Sequence, residues 1–69
     1  MRLSARNQLE GTIKTVEHGQ VTTVVVLALP GGGEVVASIT RDAATQLGLE
    51  PGKKASAVIK ASNVMIATD

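Results

Sequence analysis

None of the 69 residues is Phe, Tyr, Trp or Cys, so this short chain must build its core from aliphatic side chains alone. Val, Ala, Leu, Ile and two Met carry the 43% apolar content. One small domain is all the length allows, and such a domain hides only about 60% of the surface its unfolded chain exposes. Small domains offset a thin core with disulfides, a structural metal or association. Zero cysteines exclude disulfides and a Cys-based zinc site. Self-association is the remaining staple.

Charge narrows the partners. Seven Lys and Arg against six Asp and Glu give +1, far from the basic surplus that counterion-release binding to nucleic acid uses. The longest apolar run, Val24 to Leu29, has six residues, well short of the ~20 of a membrane span. The segment Met1-Arg2-Leu3-Ser4-Ala5-Arg6-Asn7-Gln8 lacks the apolar stretch of a secretory signal, which makes the cytoplasm the expected location.

The chain reads as a single domain, 1–69, without repeats or low-complexity tracts. Val, Ile and Thr dominate from Gly11 to Thr40, interrupted by turn residues at His18-Gly19 and Pro30-Gly31-Gly32-Gly33. This pattern predicts three strands near 11–17, 20–29 and 34–40, the first two joined by a two-residue hairpin turn at His18-Gly19. Ile13 and Val16 are out of phase for a regular strand, the mark of a bulge. Thr40 then offers a helix N-cap, Asp42 suits the first turn, and Gly48 ends the helix. Leu49 supplies the apolar contact after a glycine C-cap, and Glu50-Pro51-Gly52-Lys53 has the residues of a type II turn. Two further strands are expected near 54–60 and 63–67. Five strands with a short helix between the third and fourth match an all-β, OB-fold-like Greek-key barrel.

The second strand is apolar on both faces: Val24, Val26 and Ala28 alternate with Val25, Leu27 and Leu29. A small barrel has one inside, so the other face needs the helix and loops of the same chain or another copy. The third strand alternates Val35, Ala37 and Ile39 with Val36, Ser38 and Thr40, the pattern of a half-exposed strand.

For catalysis the inventory is poor. One His, no Cys and scattered carboxylates give no nucleophile-base pair and no metal-ligand spacing. His18 reads as a turn residue. Gly31 to Gly33 lack the Gly-Lys-Ser/Thr of a phosphate loop and read as a loose hairpin loop. An enzyme is not expected.

Two polar clusters remain, Ser4-Ala5-Arg6-Asn7-Gln8 and Lys60-Ala61-Ser62-Asn63. Each combines a cation, a hydroxyl and an amide without a carboxylate, a donor set suited to a small oxyanion whose oxygens only accept. The plainer reading is a solvated arm and a strand-to-strand turn.

Four collinear segments bear on that choice: Ser4-Ala5-Arg6-Asn7-Gln8-Leu9, Pro30-Gly31-Gly32, Ile39-Thr40 through Leu47-Gly48-Leu49, and Val58-Ile59-Lys60-Ala61-Ser62-Asn63-Val64-Met65-Ile66. Together they resemble the molbindins, or Mop family, small proteins with a single Mop (TOBE-like) domain. The resemblance spans nearly the whole chain. It implies an OB-like barrel assembled as a homohexamer, a trimer of dimers, that binds molybdate or tungstate at subunit interfaces for intracellular storage. By position it implies one oxyanion site across the dimer from Ser4, Ala5, Arg6 and Asn7 with Lys60, Ala61 and Ser62. A second site near the threefold axis falls on Gly19, Gln20, Val21 and Thr22.

Physical chemistry is consistent with such a ligand. An unprotonated tetrahedral dianion satisfies a pocket of donors with all four oxygens, whereas protonated phosphate turns its own O–H toward a donor. Sulfate differs from molybdate only in size, and tungstate hardly at all. Two other classes stand beside this one. A nucleic-acid-binding barrel is disfavoured because base stacking on aromatic side chains is worth ~1 to 3 kcal/mol per base and none is present. A purely structural assembly module remains.

Overall fold

The computed structural model describes residues 3–69. Strand β1 (Asn7–His18) is followed by β2 (Thr22–Ala28), β3 (Glu34–Thr40), helix α1 (Arg41–Leu47), β4 (Lys54–Ile59) and a 3-10 turn, Ala61–Asn63. One antiparallel sheet of order β3-β2-β1-β4 contains all four strands. It curls into a half-barrel.

The curl originates in β1, which pairs with β4 through residues 7–12 and with β2 through residues 12–18. Where the two ladders meet, Gly11 is buried, and a Cβ on it would lie 2.4 Å from the Ala28 carbonyl oxygen. Only glycine lets the backbones approach so closely. The bulge expected from Ile13 and Val16 is present: Ile13 faces Leu27 and Thr15 faces Val26, leaving Lys14 as the extra residue. That insertion resets the alternation, so Ile13 and Val16 both turn toward the core.

The core is small. Ile13, Val25 and Leu27 are buried at its centre with Val16, Leu29, Val35, Ile39, Leu49, Ala55 and Ala57 packed around them. β3 alternates as expected, Val35, Ala37 and Ile39 being half-buried and Val36, Ser38 and Thr40 exposed. On β2 the buried face is Thr23, Val25 and Leu27; the opposite face keeps Val24 exposed and Val26 and Ala28 half-buried.

Local signals around the helix are realised in full. Thr40 Oγ1 accepts the Ala43 N–H at 3.1 Å, and Gly48 caps the other end in the left-handed conformation, φ 64°. The N–H groups of Gly48 and Leu49 donate to the Thr45 and Ala44 carbonyls, a Schellman ending. Gly52, φ 92°, completes the turn that the Lys53 N–H closes on Glu50 O.

Three expectations are corrected. β1 begins at Asn7 rather than 11, because the polar residues 7–10 find a complete ladder partner in β4. The first hairpin has a three-residue loop, Gly19-Gln20-Val21, so β2 starts at Thr22 rather than 20; Gly19 does not need positive φ, and its N–H closes the turn on Thr22 O at 2.7 Å. The fifth strand, 63–67, does not form among the described residues. Asn63 and Val64 N–H groups are spent on the Lys60 and Ala61 carbonyls in the 3-10 turn, and no strand pairs with residues 64–69. The barrel therefore stays open between β3 and β4, over a cleft of about 740 Å³ lined mainly by apolar residues of β2, β3 and β4 together with Leu47 and Leu49.

Gly11→Val should lower the urea midpoint by the equivalent of about 1 to 3 kcal/mol, the cost of overpacking a closed site. An unchanged midpoint would mean that the strands separate there freely. Thr40→Ala should cost about 1 kcal/mol in the same measurement, through loss of the helix cap.

Candidate functional site

The two donor clusters, 52 residues apart in sequence where they meet, come together at one end of β1. Asn7 pairs with Ile59 in the β1–β4 ladder, and the Asn7 side-chain amide donates to the Ile59 carbonyl at 3.2 Å. Ser4-Ala5-Arg6 therefore enters the sheet beside the point where Lys60-Ala61-Ser62 leaves it. Within one chain the ladder makes these segments neighbours, whatever a second copy adds.

Most of the groups at this end face solvent. Ser4, Arg6, Lys60, Ala61 and Ser62 are exposed, while Ala5 and Asn7 are half-buried. Neither Arg6 nor Lys60 forms an ion pair among the described residues. The 3-10 turn uses the Asn63 and Val64 N–H groups, and those of Ala61 and Ser62, which lie at its start, have no backbone acceptor there. Two cations, hydroxyls and free N–H groups are thus clustered without a carboxylate. Lys14 contrasts with them: its ammonium bonds Glu34 at 2.6 Å, and that carboxylate holds the Lys14 pKa above its ordinary value. Its charge is already answered.

The second expected segment, Gly19, Gln20, Val21 and Thr22, lies at the opposite end of β1 and is not brought to the first. Its loop is exposed. Arg41 is absent from the residues that the sequence singles out, yet its guanidinium donates to Gly19 O at 3.2 Å and its N–H to Val21 O at 2.8 Å, tying the hairpin to the start of α1. One signal was available: a cation in the first turn of a helix opposes the macrodipole, so it is placed there for another partner. His18 has a structural task. Its Nδ1 lies 2.8 Å from Thr23 Oγ1, and Thr23 is fully buried, so the ring satisfies a hydroxyl that has no access to water. Among the described residues no three His, Cys, Asp or Glu side chains gather as a metal site.

Residues 3–66 match the TOBE domain. The chain belongs to this family. Over its full length the TOBE domain described here is 39% identical to a probable molybdenum-pterin-binding protein of Haemophilus influenzae, which it also covers completely. A solved molybdate-binding protein from Sporomusa ovata superposes with a TM-score of 0.92 at 38% identity, covering 99% of this chain and 100% of that one. The molybdate-bound form of the cytoplasmic molybdate-binding protein ModG superposes with a TM-score of 0.91 at 58% identity, over 94% of this chain and 46% of its own. The molybdenum transport protein ModE of Herbaspirillum seropedicae is 55% identical over 65 residues, and there the chain spans only 24% of the relative's length. The resemblance read from the four sequence segments is thereby established at the level of family, and the all-β half-barrel is the architecture of its solved members.

Asn7→Ala should remove one of the bonds that hold the two segments together, about 0.5 to 1.5 kcal/mol. Amide exchange at the β4 end around Val58 and Ile59 should accelerate in this variant while that of β2 stays unchanged. Equal protection in both proteins would show that the backbone ladder alone sets the geometry.

Proposed function

We propose that this domain binds molybdate or tungstate as the bare oxyanion, at the end of β1 where Ser4, Ala5, Arg6 and Asn7 meet Lys60, Ala61 and Ser62. The observation that carries the reading is the Asn7–Ile59 pairing, which gathers two carboxylate-free donor segments at one place. The names of the relatives supply the ligand's chemical class. Arg6 and Lys60 contribute charge; Ser4, Ser62 and the free N–H groups contribute directional donors. Because every group offered is a donor, an anion without a proton fits better than one that carries its own O–H.

In this reading the domain works as a store or buffer in the cytoplasm, without catalysis. The sites lie at subunit interfaces of a homohexamer built as a trimer of dimers, where the anion also relieves repulsion between cations of neighbouring copies. Gly19, Gln20, Val21 and Thr22, with Arg41 beside them, form a second class of site at the other end of the strand. Ligand that binds only the assembled form stabilises it by mass action. A molybdenum-pterin ligand, as the relatives' names state for them, is less suited to this chain, which has no aromatic side chain to stack a pterin ring.

Equilibrium dialysis against micromolar molybdate in excess sulfate tests the proposal. Uptake of molybdenum is expected, and none would refute it. Lys60→Ala and Ser62→Ala should each weaken uptake by roughly 5- to 150-fold, equivalent to ~1 to 3 kcal/mol for a donor withdrawn from a desolvated anion. Wild-type affinity in both variants would move the site elsewhere.

A further inference from the structure

Arg41 opens α1, where a cation opposes the macrodipole, and its hydrogen bonds go to the first hairpin instead of to a carboxylate. Its guanidinium donates to Gly19 O at 3.2 Å and its N–H to Val21 O at 2.8 Å. The ion pairs among the described residues are Lys14–Glu34 and Lys53–Glu50. Asp42, its neighbour on α1, and Glu17, just before the turn on β1, therefore leave the Arg41 charge unanswered.

These bonds decide what the loop shows to a ligand. The Gly19 N–H donates to Thr22 O at 2.7 Å, and a Cβ on Gly19 would lie 2.9 Å from that same oxygen, so the turn is tight. The carbonyls of Gly19, Val21 and Thr22 are thus all occupied. The N–H groups of Gln20 and Val21 have no backbone acceptor among the described residues, and Gln20, Val21 and Thr22 are exposed. Without Arg41, Gly19 O would stand as an open acceptor beside these donors. Such an oxygen repels an anion that carries no proton and rewards one that brings an O–H. The helix terminus itself offers nothing comparable, because the Arg41 and Ala43 N–H groups are spent on Val21 O and Thr40 Oγ1.

We propose, resting on the reading of Gly19, Gln20, Val21 and Thr22 as a second oxyanion site, that Arg41 is the specificity-determining residue of that site. One arm of its guanidinium caps Gly19 O and leaves the loop a surface of donors, matched to proton-free tetrahedral dianions and mismatched to hydrogen phosphate. The unpaired charge of the same side chain favours any anion, so the cap, rather than the charge, carries the discrimination.

Amide shifts of ¹⁵N-labelled protein, titrated with molybdate in one arm and with phosphate at equal ionic strength and neutral pH in the other, follow the two ends of β1 separately. Gln20 and Val21 of the wild type should respond to molybdate and titrate roughly tenfold more weakly with phosphate. If they do not move with molybdate, the hairpin is no site and the proposal falls with it, while the shifts of Lys60, Ala61 and Ser62 still judge the first site. Arg41→Met should weaken molybdate about tenfold at Gln20 and Val21 and cost phosphate clearly less, with Lys60, Ala61 and Ser62 titrating as in the wild type. Equal losses for the two anions would reduce Arg41 to a source of charge and overturn its role in specificity, and unchanged titration would remove it from the site. Arg41→Lys, whose ammonium can still cap Gly19 O, should restore the preference for molybdate. A preference as low as that of Arg41→Met would overturn the cap. Unshifted amides of Ile13, Val25 and Leu27 report that each variant keeps its core.

Discussion

The whole structure hangs on one strand being shared between two partners. β1 gives its first half to β4 and its second half to β2, and the handover occurs where Gly11 presses against the Ala28 carbonyl. Any side chain there would hold the ladders apart and flatten the sheet. The curl that results brings β3 and β4 toward one another around Ile13, Val25 and Leu27. Without aromatic groups the core has little volume to spare, so this backbone proximity substitutes for bulk.

The same strand separates two chemically distinct ends. At Asn7 the sheet collects cations, hydroxyls and free N–H groups; at His18 it satisfies its own buried hydroxyl and anchors the hairpin through Arg41. Proximity at the first end arises from β-ladder register rather than from a dedicated loop. Register is strongly specified wherever one face of a strand is buried, so the core that fixes Gly11 and Ile13 also fixes where Arg6 and Lys60 stand. The placement of the two donor segments and the stability of the fold are consequences of the same alignment.

Much of this was legible in the sequence wherever the signal was local. The cap at Thr40, the glycine ending at Gly48, the Pro51-Gly52 turn and the bulge after Ile13 each depend on a few adjacent residues, and each is present as expected. What was not legible depends mostly on distant partners, although the local His18-Gly19 signal also failed, the loop there being Gly19-Gln20-Val21. Asn7 to Glu10 are mostly polar and carry no strand signal of their own; they extend because β4 lies alongside. Residues 63–67 do carry a strand signal, yet the 3-10 turn spends the Asn63 and Val64 N–H groups, and no strand pairs with them among the described residues. Arg41 sits unfavourably in the first turn of a helix, a signal that it has another partner, and the fold shows that partner to be the hairpin. The two donor segments were readable by composition, but their adjacency was supplied by resemblance and then by the ladder.

The extra residue in β1 carries an implication for how such a domain can vary. Because Lys14 shifts the alternation by one, Val16 faces the core and His18 stands opposite Thr23 only through an odd count between Ile13 and the hairpin. Substitution at Lys14 leaves that parity intact, whereas deleting or adding a single residue would turn the far half of the strand inside out. The Gly31–Gly33 loop, open on every side at Cβ distance, imposes no such rule. Tolerance to length change in this small sheet is therefore partitioned, free at one hairpin and forbidden along the strand that both ladders share.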